Sequence, residues 1–129
     1  VRVYVAGSGG PVSGGALSDV QAYLDVRRPQ CVVPTAYNAT RVTVALTGEV
    51  KVKAAQKAAA QAASATALGA LFAAILIGGV VYRAPLEATI LGASPGVINV
   101  VLSNLPEQAL APNEVPVVDV SGLTWTTVP

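Results

Sequence analysis

From Ala58 to Tyr82 the sequence carries no charged residue. A run of that length can cross a bilayer or form a buried helix. Its strongly apolar positions are Leu68, Leu71, Phe72, Ile75 and Leu76, spaced as one stripe of an amphipathic helix. Gln61, Ser64 and Thr66 dilute the first half, and Gly78-Gly79 ends the run. The pattern predicts a soluble core helix over residues 54–77, with the stripe buried against a sheet. Its alanine-rich first half has high helix propensity and small side chains, which let another helix or sheet come close. A membrane-anchored protein using residues 58–82 is the alternative, and its mark would be detergent dependence.

At 129 residues, the chain matches one domain, large enough to bury about two thirds of its unfolded surface. It opens on Val1 rather than Met, as a fragment or processed chain would. The first residues lack the charged-then-apolar order of a secretion signal. A net charge of +1 supplies no field to attract nucleic acid or an acidic membrane. Only 12% of residues are charged, about half the usual share, as on a surface covered by partners or in a chain whose alanine-rich helices dilute charge.

The order of elements reads as α+β. Val1, Val3 and Val5 alternate with Arg2 and Tyr4 as a half-buried strand. Gly7–Gly15 is a glycine-rich loop, but its spacing matches neither the P-loop nor the dinucleotide fingerprint. Ser13 is placed to cap a helix with Leu17, Val20 and Leu24 on one face. Asp19 near its start and Arg27 and Arg28 near its end suit the helix dipole, and Pro29 stops it. Cys31, Val32 and Val33 read as an apolar strand burying an inert thiol, and a single cysteine leaves no internal disulfide.

Val42, Val44 and Leu46 alternate with polar neighbours, and Val50 and Val52 continue beyond Gly48, a candidate bulge. Lys51, Lys53 and Lys57 read as a solvated basic cluster. Val80–Tyr82 is a short strand, residues 83–91 a helix with Leu86, Ile90 and Leu91 inward and Gly92 as its cap, and Val97–Ser103 a strand. Residues 104–113 read as a loop. Val115–Val120 and Leu123–Val128 read as two strands turning at Ser121-Gly122. The sum is a single domain over residues 1–129. It would be a two-layer sandwich, with a mixed sheet of about five to six strands packed with three helices.

No chemistry stands out. Histidine is absent, which removes the commonest general base and metal ligand. The acids Asp19, Asp25, Glu49, Glu87, Glu107, Glu114 and Asp119 show no acid–base or calcium-loop spacing. The expectation is a protein that is not an enzyme, with no catalytic, cofactor-binding or metal-binding residue and no cofactor.

The segments GGVVYRAPLEATILGASPGVINVVL (78–102) and ALAPNEVPVVDVSGLTW (109–125), preceded by VRVYVAGSGG (1–10) and DVRRP (25–29), occur in an informative order. Together they resemble the C-terminal region of the baseplate J-like proteins of contractile phage tails. The stretch VVPTAYNATRVTVAL (32–46) fits that pattern only loosely. The resemblance implies the C-terminal α/β domain of a longer protein in a baseplate wedge of a phage, prophage or tail-like particle. It would be a structural virion component of a contractile injection system, acting by protein–protein packing. Implied partners are other wedge proteins, sheath-initiating proteins and tail-fibre-attachment proteins, with a homo-oligomer also open and with neither nucleic acid nor membrane. The implied location is the tail baseplate, assembled in the bacterial host cytoplasm.

A small soluble binding or adhesion module is the other reading, marked by a concave pocket lined by Tyr4, Tyr23, Tyr37, Tyr82 and Trp125. The closing segment after Pro112 reads as an edge covered by a neighbour and dispensable for folding, since prolines suit sheet edges.

Overall fold

A computed structural model describes residues 1–7, 11–104 and 107–129. Among the described residues three α-helices and seven strands make an α+β fold. The strands divide among three hydrogen-bonded sheets. Part of the glycine loop, residues 8–10, and Leu105 and Pro106 of the later loop lie outside the described residues.

The centre is β3 (Thr40–Lys53), flanked by β5 (Val97–Leu102) and β7 (Glu114–Val128). β5 runs antiparallel to β3 and β7 parallel to it. The alternation in β3 decides which face is covered: Val44, Leu46, Val50 and Val52 are almost wholly buried. The even-numbered face stays inward throughout, so Gly48 is no bulge. A Cβ at Gly48 would instead overlap the Val101 carbonyl oxygen of β5. Glycine there lets the two backbones approach closely.

Two helices cover this face. α2 (Lys57–Ala74) follows a single 3-10 turn at Ala54–Gln56 and lies over β7, while α3 (Arg83–Ala93) packs on α2 and β5. The buried line of α2 is Ala60, Ser64, Leu68 and Phe72, one residue per turn. Leu71 and Ile75 pack at its margin. Leu76 is 80% exposed. The helix ends before it, and the chain reverses at Gly78, whose φ of 71° suits glycine. Leu91 is also exposed, and α3 runs through Gly92 to a cap at Ser94. Among the described residues no helix is long and apolar enough to cross a membrane.

Two expected strands become one. β7 passes through Ser121-Gly122 without turning, because both halves pair with β3. The extra residue is absorbed as a bulge opposite Ala45–Thr47. Asp119 Oδ1 accepts the Ser121 N–H at 2.9 Å there. The bulge also resets the alternation. Val118 and Val120 join the core before it, and Leu123 and Trp125 after it. β4 (Val80–Tyr82) pairs with β6 (Glu107–Ala109), a stretch that reads as loop in the sequence.

The N-terminal residues form their own β–α–β unit. β1 (Arg2–Val5) and β2 (Thr35–Asn38) pair in parallel, joined by α1 (Gly14–Arg27). Ser13 Oγ accepts the Ala16 N–H at 3.2 Å, as a cap should. Leu17, Val20 and Leu24 are half-buried, and Asp19 falls beyond the first turn. Arg27 stacks on the Tyr23 ring at 3.9 Å.

Cys31 corrects the expectation of a buried strand. It is exposed, in a turn, with φ 69°. Pro29 stops the helix, the Val32 N–H donates back to the Pro29 carbonyl, and strand pairing begins only after Pro34. The native protein is therefore expected to react with a thiol reagent such as DTNB as fast as a small free thiol, within a factor of about ten. Labelling only after unfolding would contradict this placement.

Candidate functional site

Among the described residues no three His, Cys, Asp and Glu side chains gather as a metal site. The four tyrosines and Trp125 do not gather around one pocket among the described residues. Tyr4 and Tyr37 pair across β1 and β2 at 6.0 Å, with Arg2 over Tyr37. Tyr23 sits under Arg27, Tyr82 is exposed on β4, and Trp125 lies beneath α2. Lys51 and Lys53 are exposed and Lys57 is half-buried, with no aromatic residue among them.

The informative difference lies between strand edges, because an unpaired edge can join another chain. The edge of β5 away from β3 is met by a carboxylate. Glu87 Oε1 accepts the Leu102 N–H at 3.0 Å and the Arg83 Nε–H at 2.8 Å. The Leu102 N–H is the main cause holding the Glu87 carboxyl below its ordinary range; burial opposes it and Arg83 assists. β2 is closed by an amide: Gln21 Nε2 donates to the Pro34 carbonyl and Gln21 Oε1 accepts the Ala36 N–H.

The Glu87 contact has a pH consequence. A depressed folded pKa contributes stability above the unfolded value, 4.5, and loses it as pH falls through the folded value. Glu87→Ala is expected to cost about 1–2 kcal/mol at pH 7, the worth of a hydrogen bond to a charged group with partial exposure. Urea melts of both forms should converge as pH falls through the lowered folded value. A difference that persists at low pH would place the effect in packing instead.

β7 is met in this way at its start. Among the described residues no strand pairs with it on the side away from β3. At its start the Gly78 N–H donates to the Glu114 carbonyl, and the Thr40 N–H donates to the Asn113 carbonyl. In this parallel ladder Val115 and Val117 turn their backbone groups to β3, while Pro116 and Val118 turn theirs outward. Proline sits where its missing N–H costs no ladder bond. Farther on, Ser103 N–H donates to the Thr47 carbonyl, so odd-numbered β3 residues there serve β5 and even ones serve β7. Given the pairs Gly48↔Leu123 and Val50↔Trp125, the backbone groups of Leu123 and Trp125 point outward.

Beside this edge, α2 and β7 leave a cleft of about 270 Å³. Gln61, Ser64, Ala65 and Leu68 form one wall, and Val120, Ser121, Leu123 and Trp125 the other. Ser64 is 1% exposed, and its Oγ has no hydrogen-bond partner among the described residues. Sequence reading takes Ser64 as a polar dilution of the helix. The available signal was its spacing, four residues before Leu68 and eight before Phe72.

The sequence matches no family model and no curated protein. The fold is similar to part of a chain in the cryo-EM structure of the anti-feeding prophage (AFP) baseplate, six-fold symmetrised. The TM-score is 0.66 at 21% identity, over 92% of this chain and 29% of that one. The present chain thus spans less than a third of the length of that baseplate chain, and at this identity the likeness is one of fold.

Proposed function

We propose that the chain is a structural part of the baseplate of a contractile phage tail or tail-like particle, belonging to a wedge protein of the baseplate J-like kind. The observation that carries this is the fold likeness to an AFP baseplate chain over 92% of the present chain. It agrees with the order of segments that resemble that family. The open later stretch of the β7 edge fits a role exerted through packing, with no reaction of its own. Partners on this reading are other wedge proteins, sheath-initiating proteins and tail-fibre-attachment proteins. The place of action is the baseplate at the end of the tail.

The test is deletion of the gene in its native host, followed by electron microscopy of particles. The expected result is loss of complete tails, restored by the gene in trans, with the tagged protein retained in purified particles. Intact contractile particles that lack the protein would sink the proposal, as would a substrate turnover abolished by one carboxylate substitution.

A further inference from the structure

We propose that the cleft between α2 and the free edge of β7 receives an uncharged extended segment of a different polypeptide, which adds to β7 as a strand and sets a hydroxyl or amide side chain against Ser64 Oγ. The inference rests on the baseplate reading only in taking that polypeptide to be a component of the same particle.

Three observations converge. The outward backbone groups of Leu123 and Trp125 form a template for strand addition. Side chains of an added strand that lie beside Leu123 and Trp125 point the same way as theirs, into the cleft beneath α2. There they meet Ser64 Oγ, a buried hydroxyl lacking a partner, which can both donate and accept a hydrogen bond. Leaving such a group unpaired is costly, so an occupant that supplies the missing bond is favoured over one that does not.

Charge selects the kind of segment. Among the described residues none that lines the cleft is charged, and a carboxylate or ammonium entering it would lose hydration without a countercharge. The fitting pattern is apolar residues at alternate positions around one Ser, Thr, Asn or Gln. The small, exposed side chain of Ala65 at the rim leaves room for the incoming backbone.

Trp125 is the only tryptophan and lines the cleft, so its emission reads occupancy directly. The probe is the acetylated and amidated peptide Thr-Val-Thr-Ser-Thr-Val-Thr, compared with the same peptide carrying Ala at its centre. The expected result is a saturable blue shift of Trp125 emission. Amide exchange at Leu123 and Trp125 should slow at least tenfold, on the order of one backbone hydrogen bond. Thr124, already bonded to β3, should not change. The Ser-centred peptide should bind about tenfold more tightly than the Ala-centred one, and Ser64→Ala should erase that preference. Ala65→Phe should fill the cleft and block both peptides while leaving the far-ultraviolet circular dichroism unchanged.

An absent shift, or binding that survives Ala65→Phe, would overturn the proposal. So would protection of the same amides by concentration-dependent dimerisation without peptide, which would assign the edge to a second copy. None of these outcomes touches the gene-deletion test, so the two readings fail separately.

Discussion

Leu68→Asp is expected to abolish folding. Leu68 is fully buried at the middle of the inward line of α2, within the cluster that includes Leu46, Val50 and Phe72. A carboxylate there would have no cation beside it: the only charged residue on α2 is Lys57, at its first turn. Burying an unpaired charge costs more than about 4 kcal/mol, and whole domains hold about 5–15 kcal/mol. The milder Leu68→Ala should cost about 2–5 kcal/mol and still fold. Circular dichroism and urea melts distinguish the two. Leu76→Asp is the matched control. It lies in the same sequence stripe but outside the helix and in solvent, so it should change stability by less than about 0.5 kcal/mol. A folded Leu68→Asp protein, or an unfolded Leu76→Asp protein, would show that the helix is rotated or longer.

Ending the chain at Pro112 is expected to unfold it as well, contrary to the reading from sequence that this segment is dispensable. The reason is the ladder. β7 pairs with β3 from Thr40↔Glu114 to Lys53↔Val128, so its loss would strip one whole side of the central strand. Val115 and Leu123 are also buried, worth about 1.5–3 kcal/mol each. Together with the lost cover from Val118, Val120 and Trp125, this approaches the full stability of a domain. The truncated protein should lack a cooperative thermal transition and expose apolar surface that binds a dye such as ANS. A cooperative transition with native helix content would show that β3 and β5 hold α2 and α3 without β7.

These two expectations also separate the levels at which the structure is specified. The alternation of Val42, Val44 and Leu46 identifies β3 from the sequence, because a strand turns successive side chains to opposite faces. The Ser13 cap and the Pro29 stop delimit α1 for equally local reasons. Leu68 and Phe72 belong to the buried side because their four-residue spacing puts them on one helical face. Glu87 is different. As a single acid in a helix it has no distinguishing spacing, and its role at the β5 edge depends on Leu102 lying opposite it.

What the sequence by itself determined is therefore local: the α+β order, the core positions of β3 and the inward centre of α2. Only the tertiary structure decided that Glu114–Val128 is one strand. Ser-Gly is compatible with a turn or a bulge, and the parallel partner β3 selects the bulge. Likewise, only folding exposes Cys31 between two prolines and leaves Ser64 without a partner beside an open strand edge. Periodicity records how a residue faces its own element. Pairing and cover depend on residues distant in the chain, and no local pattern encodes them.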